Sequence, residues 1–183
     1  MNTDRVIDYK KLINSSDVLL GEVERTYISS FPIEERRDMS LFRDLLDIEP
    51  KFNVYALLDD GNYVGFITEW IFDEFVYVEH FAIDETARNG GFGGIAMKQF
   101  IEKTITPVVL EVELPVDEYS KRRIGFYERL GFVPDNHEYQ QPPYHKGDSW
   151  LPMRLMTYGS IDLKKKFDYI KTCLYRNVYG VNQ

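Results

Sequence analysis

The chain is poor in the residues that build disulfides and metal centres. It has one cysteine, Cys173, and three histidines among its 183 residues. A lone thiol excludes an intrachain disulfide, which fits a reducing compartment. The spacing of His80, His137 and His145 is not that of a metal-ligand motif, so we expect no bound metal.

Long apolar runs and an excess of positive charge are also missing. No run approaches the ~20 apolar residues that a membrane span needs, and charge from Asp4 on leaves no apolar core for a secretory signal. The 22 Lys and Arg are outnumbered by 30 Asp and Glu, for a net charge of −8. Nucleic-acid binding relies on basic side chains that neutralise phosphates. We therefore expect a cytoplasmic protein that binds neither membrane nor nucleic acid.

The remaining composition is that of a folded domain. Hydrophobic residues make up 44% of the chain and aromatic residues 15%. This is enough apolar material, at this length, to bury a core. Internal repeats and low-complexity segments are absent, so a single domain over residues 1–183 is the simplest organisation.

The most informative stretch is FVYVEHFAIDETARNGGFGG, residues 75–94. Residues 75–83 are rich in β-branched and aromatic side chains, which indicates a strand. The sequence RNGGFGG then opens a predicted helix, whose apolar residues recur at helical spacing. Glycines before a helix let the backbone approach a ligand, and the free N–H groups and helix dipole favour a phosphate. The stretch predicts a pyrophosphate-binding turn.

Two other phosphate-binding loops fit less well. A P-loop needs Gly-Lys-Ser/Thr, which does not occur here. A dinucleotide fingerprint is formally present, because residues 91–96 fit G-x-G-x-x-A and Glu111 and Glu113 lie about twenty residues on. However, residues 84–90 separate the strand from the first of these glycines, and the preceding strands resemble an antiparallel meander.

Residues 88–93, RNGGFG, match the pattern Arg/Gln-x-x-Gly-x-Gly and resemble the acetyl-CoA loop of the GNAT N-acetyltransferase superfamily. Residues 77–84 resemble the fourth strand of that family, and GFYERLGF at 125–132 resembles its helix-to-strand signature. The resemblance covers about residues 52–158.

The resemblance implies an α/β (α+β) fold with a mixed, centrally splayed sheet that is antiparallel at its start and flanked by helices. It also implies an acetyltransferase domain with its core at about 52–158. We expect residues 1–183 to form this one domain, with a C-terminal helical extension at 159–183 that lies outside the resemblance. That last helix, with an apolar stripe and Ser160 as its cap, packs on its own sheet or on a second subunit of a homodimer.

Local patterns predict the elements before the glycine turn. Residues 5–9 could form an edge strand, and Ser15 or Ser16 could cap a helix with Val18 in its apolar stripe. Ser40 could cap a second helix. The charged run at 34–37, EERR, is most simply a solvated face. Residues 52–58 and 63–72 form a predicted hairpin, and residues 134–152 form a polar and aromatic insertion.

Transfer of an acetyl group to an amine has three chemical requirements. The amine must be neutral to attack, although an alkyl amine is mostly protonated near neutral pH. The thioester carbonyl gains negative charge and needs a hydrogen-bond donor. The leaving thiolate benefits from a proton. A carboxylate, a backbone N–H and a phenol could meet these needs in turn.

The resemblance suggests residues for each task. Glu79 matches, by its position in the strand, the glutamate of the family's diamine and polyamine acetyltransferases, so it is the expected base; the alternative is a paired strand carboxylate. Tyr127 occupies the signature tyrosine and is the expected acid; the alternative is a core tyrosine. The backbone N–H groups of Phe81, Ala82 and Ile83 would hold the acetyl carbonyl.

Acetyl-CoA is the expected co-substrate. Its pyrophosphate would lie on the turn formed by Arg88, Asn89, Gly90, Gly91, Phe92, Gly93 and Gly94. Ser120 stands where family members often carry a cofactor-contacting asparagine. Glu111 and Glu113, on the next strand, could bind a cationic acceptor or share the base role. The insertion supplies candidate acceptor-pocket walls: Tyr139, Gln141 and Tyr144.

The expected function is therefore an acetyl-CoA-dependent N-acetyltransferase. It would act on a small-molecule or peptide amine by direct attack. Two alternatives stay open: a non-catalytic acyl-CoA-binding module and a dinucleotide-binding oxidoreductase. The sequence does not specify the acceptor or the oligomeric state.

Overall fold

The computed structural model of the protein describes residues 5–182. Within this range the five α-helices are α1 (Leu20–Ser30), α2 (Met39–Ile48), α3 (Phe92–Lys103), α4 (Glu118–Arg129) and α5 (Leu163–Cys173). The eight strands are β1 (Asp8–Lys11), β2 (Phe52–Asp59), β3 (Asn62–Ile71), β4 (Val76–Ile83), β5 (Val108–Glu113), β6 (Val133–Pro134), β7 (Tyr139–Gln141) and β8 (Leu151–Tyr158). Short 3₁₀ turns occupy Ile33–Glu35 and Glu85–Ala87, and a π-helical turn, Leu174–Val178, follows α5.

All eight strands join one mixed sheet in the order β1-β2-β3-β4-β5-β8-β6, with β7 also paired to β8. The first four strands are antiparallel neighbours, as the predicted meander requires. The pair β4–β5 is parallel, and β5–β8 is antiparallel again. The predicted α/β fold, antiparallel at its start, is confirmed.

The sheet opens between β4 and β5. These strands pair over three positions only, the last of which joins Val78 to Leu110. Beyond it, β4 continues to Ile83 and β5 to Glu113 without further pairing between them. The diverging strands leave a gap in the middle of the sheet, with a strand edge on each side of it. This gap is the predicted splay.

A bulge in β4 lies at the mouth of the gap. Thr68 of β3 pairs with His80 and Glu69 pairs with Val78, so Glu79 is the extra residue. Bulges break the alternation of side chains along a strand and re-aim the residues beside them. Glu79 and His80 consequently both contact residues on the same face of the sheet, where Glu79 meets Trp70 and His80 meets Tyr27.

Helices cover both faces of the sheet, and each face has its own apolar core. The first core contains buried residues of α1, α2, α5 and the π-helical turn. The second contains buried residues of α3 and α4. Phe167 and Ile170 of α5 lie in the first core. The apolar stripe of the last helix therefore packs on its own sheet, which was the first of the two alternatives.

None of the serines that were expected to cap α1, α2 and α5 does so. α1 begins at Leu20, and Ser15 instead donates from its backbone N and its Oγ to the Asp47 carboxylate, at 2.7 and 2.6 Å. Val18 lies outside α1 and is 88% exposed, so it is not part of the apolar stripe.

The serine caps that were expected for α2 and α5 are also not observed. Asp38 precedes α2, which already includes Ser40 as its second residue. Asp162 caps α5 by accepting a hydrogen bond from the backbone N of Lys164 at 3.1 Å, so Ser160 lies outside the helix. Of these three helices only α5 has a side-chain cap, because the N-cap residues of α1 and α2 make no capping hydrogen bond. None of the helices in residues 5–182 has the length and apolar character needed to cross a membrane.

Candidate active site

A cavity of about 840 Å³ fills the gap between β4 and β5. Its walls come from these two strands, the C-terminal end of α1, Arg88 and one face of α4. The cavity therefore lies where the strand edges carry unpaired backbone groups, which suits a ligand that hydrogen-bonds like a strand.

The predicted glycine turn opens α3. The Asp84 side chain starts the 3₁₀ turn by accepting a hydrogen bond from the backbone N of Thr86 at 3.1 Å. Asn89 and Gly91 then take positive φ angles of 68° and 77°, and Gly91 is the N-cap of α3. Such a φ is unstrained for glycine. The turn leaves the first N–H groups of α3 without intrahelical partners, as a phosphate site requires.

The turn lies at the rim of the cavity. A Cβ placed on Gly93 would be 3.5 Å from Ile83 and 3.9 Å from Phe126, and both of these residues line the cavity. Arg88 also lines it, and its guanidinium donates to the Ile83 carbonyl and to Ser30 Oγ, each at 3.3 Å. An anion on the turn would meet both helix N–H groups and an arginine.

α4 adds three further arginines to the wall: Arg122, Arg123 and Arg129. Arg123 is already engaged, because it donates to Glu113 at 2.6 Å and to the Tyr119 hydroxyl at 2.8 Å. Within residues 5–182, Arg122 and Arg129 have no such partner. Two guanidinium groups are therefore available for phosphates.

Ser120 has a different role from the expected cofactor contact. Its backbone N donates to Asp117 Oδ1 at 2.7 Å, and its Oγ accepts from the Asp117 backbone N at 3.2 Å. These two bonds form the capping box of α4. The residue is 3% exposed, and the cavity wall is formed by its neighbours Tyr119 and Arg122 instead. The geometry does not support a cofactor contact by Ser120.

Glu79 is held in a buried ion pair. Its side chain is fully buried and pairs with Arg37, whose guanidinium also lies over the Tyr144 ring. The carboxylate also accepts hydrogen bonds from Trp70 Nε1 at 2.8 Å and from the Tyr144 hydroxyl at 2.9 Å. Burial acts to raise the pKa of Glu79, but the Arg37 charge and the hydrogen bonds from Arg37 and Trp70 shift it below its ordinary value.

These contacts argue against the expected base role of Glu79. A lowered pKa makes the carboxylate a weaker proton acceptor. Residue 79 as a whole is partly exposed while its side chain is not, so its backbone is the part that faces the cavity. The alternative, a paired strand carboxylate, describes this geometry better.

Glu111 has the opposite environment on the facing strand. It lines the cavity, and its carboxylate accepts hydrogen bonds from the Tyr139 hydroxyl, from Gln141 Nε2, and from the Tyr179 hydroxyl at 2.7 Å. Burial raises the pKa of Glu111, and the donors offset only part of this rise. No cation pairs with it in the part of the chain that the structure describes. Glu113, two residues on, pairs with Arg123.

The three insertion residues lie behind the carboxylates rather than around an open acceptor pocket. Tyr139 and Gln141 share one face of β7, where both are buried, and their polar groups bind Glu111. The Tyr144 hydroxyl binds Glu79. The expected wall residues therefore support the site from within the core.

Tyr127 lies in the cavity wall and is 8% exposed. Burial raises its pKa to about 12. Its hydroxyl makes no hydrogen bond to any of the described residues. A protonated phenol without a protein partner is available to a ligand in the cavity.

Sequence reasoning missed two residues that shape this site. Arg37 belongs to the charged run that resembled a solvated face, yet it is only 6% exposed. Tyr179 follows the last helix, in a stretch without a recognisable motif. Neither residue has a local sequence signal, because each meets its partner only through the tertiary fold. Among residues 5–182, no group of three or more His, Cys, Asp or Glu is arranged to hold a metal ion.

Comparison with known proteins agrees with this geometry. Residues 19–132 match the family model described as "Acetyltransferase (GNAT) family". A solved structure assigned to the GNAT family, from Bacteroides thetaiotaomicron, is 43% identical and superposes with a TM-score of 0.91, covering 97% of this chain and 99% of that one. No functionally curated protein matches the chain in sequence.

More distant structures share the fold. NAA60 from Arabidopsis thaliana, solved in complex with acetyl-CoA, is 20% identical with a TM-score of 0.59 over 84% of this chain and 98% of that one. A spermidine N-acetyltransferase chimera from Vibrio cholerae SpeG and hSSAT is 14% identical with a TM-score of 0.64 over 88% and 98%. The family match over residues 19–132 and the 43% identical structure show that the chain belongs to the GNAT family and is an acyl-CoA-dependent acetyltransferase.

Proposed function

We propose that this enzyme transfers the acetyl group of acetyl-CoA to the amine of a small molecule or peptide inside the cavity between β4 and β5. Glu111 is the proposed proton acceptor, and Tyr127 is the proposed proton donor. The observation that carries the assignment is the contrast between the two glutamates at the splay. The Glu79 carboxylate is neutralised by Arg37, whereas Glu111 is surrounded by neutral donors.

The cofactor would lie along the cavity and over the glycine turn at its rim. The pyrophosphate would lie on the turn from Arg88 to Gly94, with Arg122 and Arg129 free to contact further phosphates. The pantetheine arm would run along the unpaired edge of β4. The backbone N–H groups from Phe81 to Ile83 would then be near the thioester and could stabilise its developing oxyanion.

The proposed reaction is a direct attack. The amine nitrogen forms a bond to the thioester carbonyl carbon, and the carbon–sulfur bond breaks. Glu111 takes a proton from the amine, directly or through a water, and Tyr127 gives a proton to the departing sulfur. The products are an amide and free CoA, and both side chains then exchange protons with solvent.

Glu111 has the capacity for this step. A carboxylate offers about four acceptor positions, and three are occupied by Tyr139, Gln141 and Tyr179. The Tyr77 hydroxyl also interacts with the carboxylate, so an amine or a relay water would share an acceptor oxygen with these donors. The raised pKa moves the group toward the working pH, which favours a general base. Tyr127, with a pKa of about 12, is protonated at neutral pH, as a general acid must be.

Glu79 then has a positioning role. Its ion pair with Arg37 joins the β4 bulge to the segment between α1 and α2, and Arg37 also donates to the Val178 carbonyl. Three separate parts of the chain meet at this pair. Loss of the carboxylate would leave Arg37 buried without a counter-charge, which costs about 3–5 kcal/mol.

Matched carboxylate-to-amide variants test the assignment. Thiol release from acetyl-CoA would be measured with panels of polyamines, amino acids, aminoglycosides and peptides. We expect Glu111→Gln to lower kcat by about 100-fold or more with unchanged acetyl-CoA affinity, and Tyr127→Phe to show a loss of the same order. Glu79→Gln should mainly lower the melting temperature.

Two outcomes would contradict the proposal. The first is a Glu111→Gln enzyme that is as active as the wild type. The second is tight acetyl-CoA binding without thiol release for any acceptor, which favours a non-catalytic acyl-CoA-binding module. The dinucleotide-binding alternative is disfavoured because the 3₁₀ turn Glu85–Ala87 separates β4 from the glycines.

A further inference from the structure

We propose that Tyr179, beyond the last α-helix, is a positioning residue that fixes the Glu111 carboxylate and sets its pKa. The inference rests on the proposed base role of Glu111. The segment 174–179 would then support catalysis, although it lies outside the part of the chain that matches the family model.

The backbone after α5 is shaped to deliver this tyrosine. The chain widens into the π-helical turn Leu174–Val178, and the Tyr179 backbone N donates to the Leu174 carbonyl at 3.2 Å. Leu174 is fully buried, and the Val178 carbonyl accepts from Arg37. π-helical turns are rare, and those that occur are often found at functional sites. The segment is thus anchored on both sides of the residue that it presents.

The Tyr179 hydroxyl has a defined proton direction. It donates to Glu111 Oε2 at 2.7 Å and accepts from Gln141 Nε2 at 2.9 Å. The Tyr77 hydroxyl lies 3.2 Å from the Tyr179 hydroxyl and also interacts with Glu111. The Tyr179 ring packs on Tyr144, with centroids 5.3 Å apart. Ring and hydroxyl together hold Glu111 in one orientation.

Among the groups around Glu111, only Glu111 itself is expected to change its charge near neutral pH. Five tyrosines interact with its charge: Tyr77, Tyr139, Tyr144, Tyr175 and Tyr179. The pKa of each is raised, so all five stay neutral around physiological pH. The nearby charge of Glu79 is paired with Arg37. A hydrogen bond to the ionised carboxylate therefore acts directly on the pKa of Glu111.

Removal of the hydroxyl should raise the Glu111 pKa. Tyr179→Phe keeps the ring but loses the donor, so we expect the acidic limb of the kcat/KM profile to move up by about one pH unit. Activity should fall most at low pH and approach the wild-type value at high pH. A purely structural loss would lower activity at every pH without moving the limb.

The chain offers a matched control and a second variant. The Tyr175 hydroxyl, in the same segment, donates to the Gln140 carbonyl at 2.6 Å and not to Glu111. Tyr175→Phe should therefore leave the limb in place. Gln141→Met removes a different donor to Glu111 and should shift the limb in the same direction as Tyr179→Phe, which keeps the test usable if the latter folds poorly.

A second readout does not depend on knowing the acceptor. The ¹³C NMR signal of the Glu111 carboxyl, assigned by its loss in Glu111→Gln, gives the pKa directly. An upward shift in Tyr179→Phe supports the inference, and an unchanged titration overturns it. If Glu111→Gln is fully active, the proposed function fails; if it is inactive while Tyr179→Phe titrates like the wild type, only this inference fails.

Discussion

At the scale of single residues, Asp84 joins the end of β4 to α1. It is 1% exposed, and its carboxylate accepts hydrogen bonds from Thr26 Oγ1 at 2.7 Å, Arg25 Nη2 at 2.9 Å and the Thr86 backbone N at 3.1 Å. Burial acts to raise the pKa of Asp84, but these donors hold it well below its ordinary value. The stability that this carboxylate adds must therefore depend on pH.

We predict the direction from the lowered pKa. The contribution is complete above the unfolded-state pKa of about 4 and is lost as the pH falls toward the folded-state value. Asp84→Asn should lower the free energy of unfolding by about 2 kcal/mol at neutral pH. The difference in unfolding free energy between this variant and the wild type should become smaller below about pH 4. Denaturant melts at several pH values would measure this. A difference that stays constant with pH would contradict it.

A surface aspartate is the control for this series. Asp44 is exposed on α2, outside the contacts that hold β4. Asp44→Asn makes the same chemical change and should alter the unfolding free energy by less than about 0.5 kcal/mol.

Residue roles were predictable only where their cause is local. The glycine turn and Tyr127 stand in contiguous motifs, and the structure places both beside the cavity. The state of Glu79 depends on Arg37, which is 42 positions away in sequence. The environment of Glu111 depends on Tyr139 and Tyr179, which are 28 and 68 positions away. No local pattern encodes which of two glutamates meets the cation.

At the scale of elements, the close contact of β3 with β4 shapes one wall of the cavity. A Cβ on Gly65 would lie 2.4 Å from the Ala82 carbonyl oxygen and 3.0 Å from the Ile83 Cα, so backbone would have to move. These residues belong to the β4 edge proposed to bind the cofactor. A side chain at Gly65 should therefore affect both stability and the cofactor site.

A pair of glycine-to-alanine variants tests this contact. We expect Gly65→Ala to cost at least about 2 kcal/mol of unfolding free energy and to weaken acetyl-CoA binding. Gly21, within α1, has no atom within 4 Å of an added Cβ, so Gly21→Ala should stabilise the helix by about 0.5–1 kcal/mol. Thermal melts and calorimetric titration would measure the two effects. Equal effects of the two variants would exclude the packing explanation.

Element types were predictable because they follow from periodicity, whereas element ends were not. The hairpin of β2 and β3 and the order of helices α3 and α4 follow the sequence pattern. The start of α1 did not, because Asp47, which holds Ser15, comes from α2. The short strand β7 was hidden in the insertion, since its pairing with β8 stabilises it more than its own composition does.

At the scale of the whole molecule, two features of the fold have different origins. Helices on both faces follow from the alternation of apolar stripes and strands. The splay between β4 and β5 came from the resemblance alone, because periodicity fixes which residues form strands but not where two strands stop pairing. The active site depends on the splay, so periodicity alone would not have predicted where the active site lies.

The charge distribution is also a property of the whole chain. The net charge is −8, yet four arginines line one cavity: Arg88, Arg122, Arg123 and Arg129. A positive cleft in an acidic molecule attracts an anionic ligand locally, and dissolved salt screens this attraction. We expect the affinity for CoA to fall several-fold as NaCl rises from about 50 to about 500 mM.

A charge-matched pair of variants separates the cleft from the net charge. Arg122 lines the cavity, whereas Lys98 is exposed on α3 and pairs with Glu102 at 3.8 Å. Arg122→Ala and Lys98→Ala change the net charge equally. Calorimetric titration with CoA should show weaker binding and a shallower salt dependence for Arg122→Ala, and wild-type behaviour for Lys98→Ala. If both variants weaken binding alike, the ligand responds to the overall charge, and the arginines of the cleft hold no phosphate.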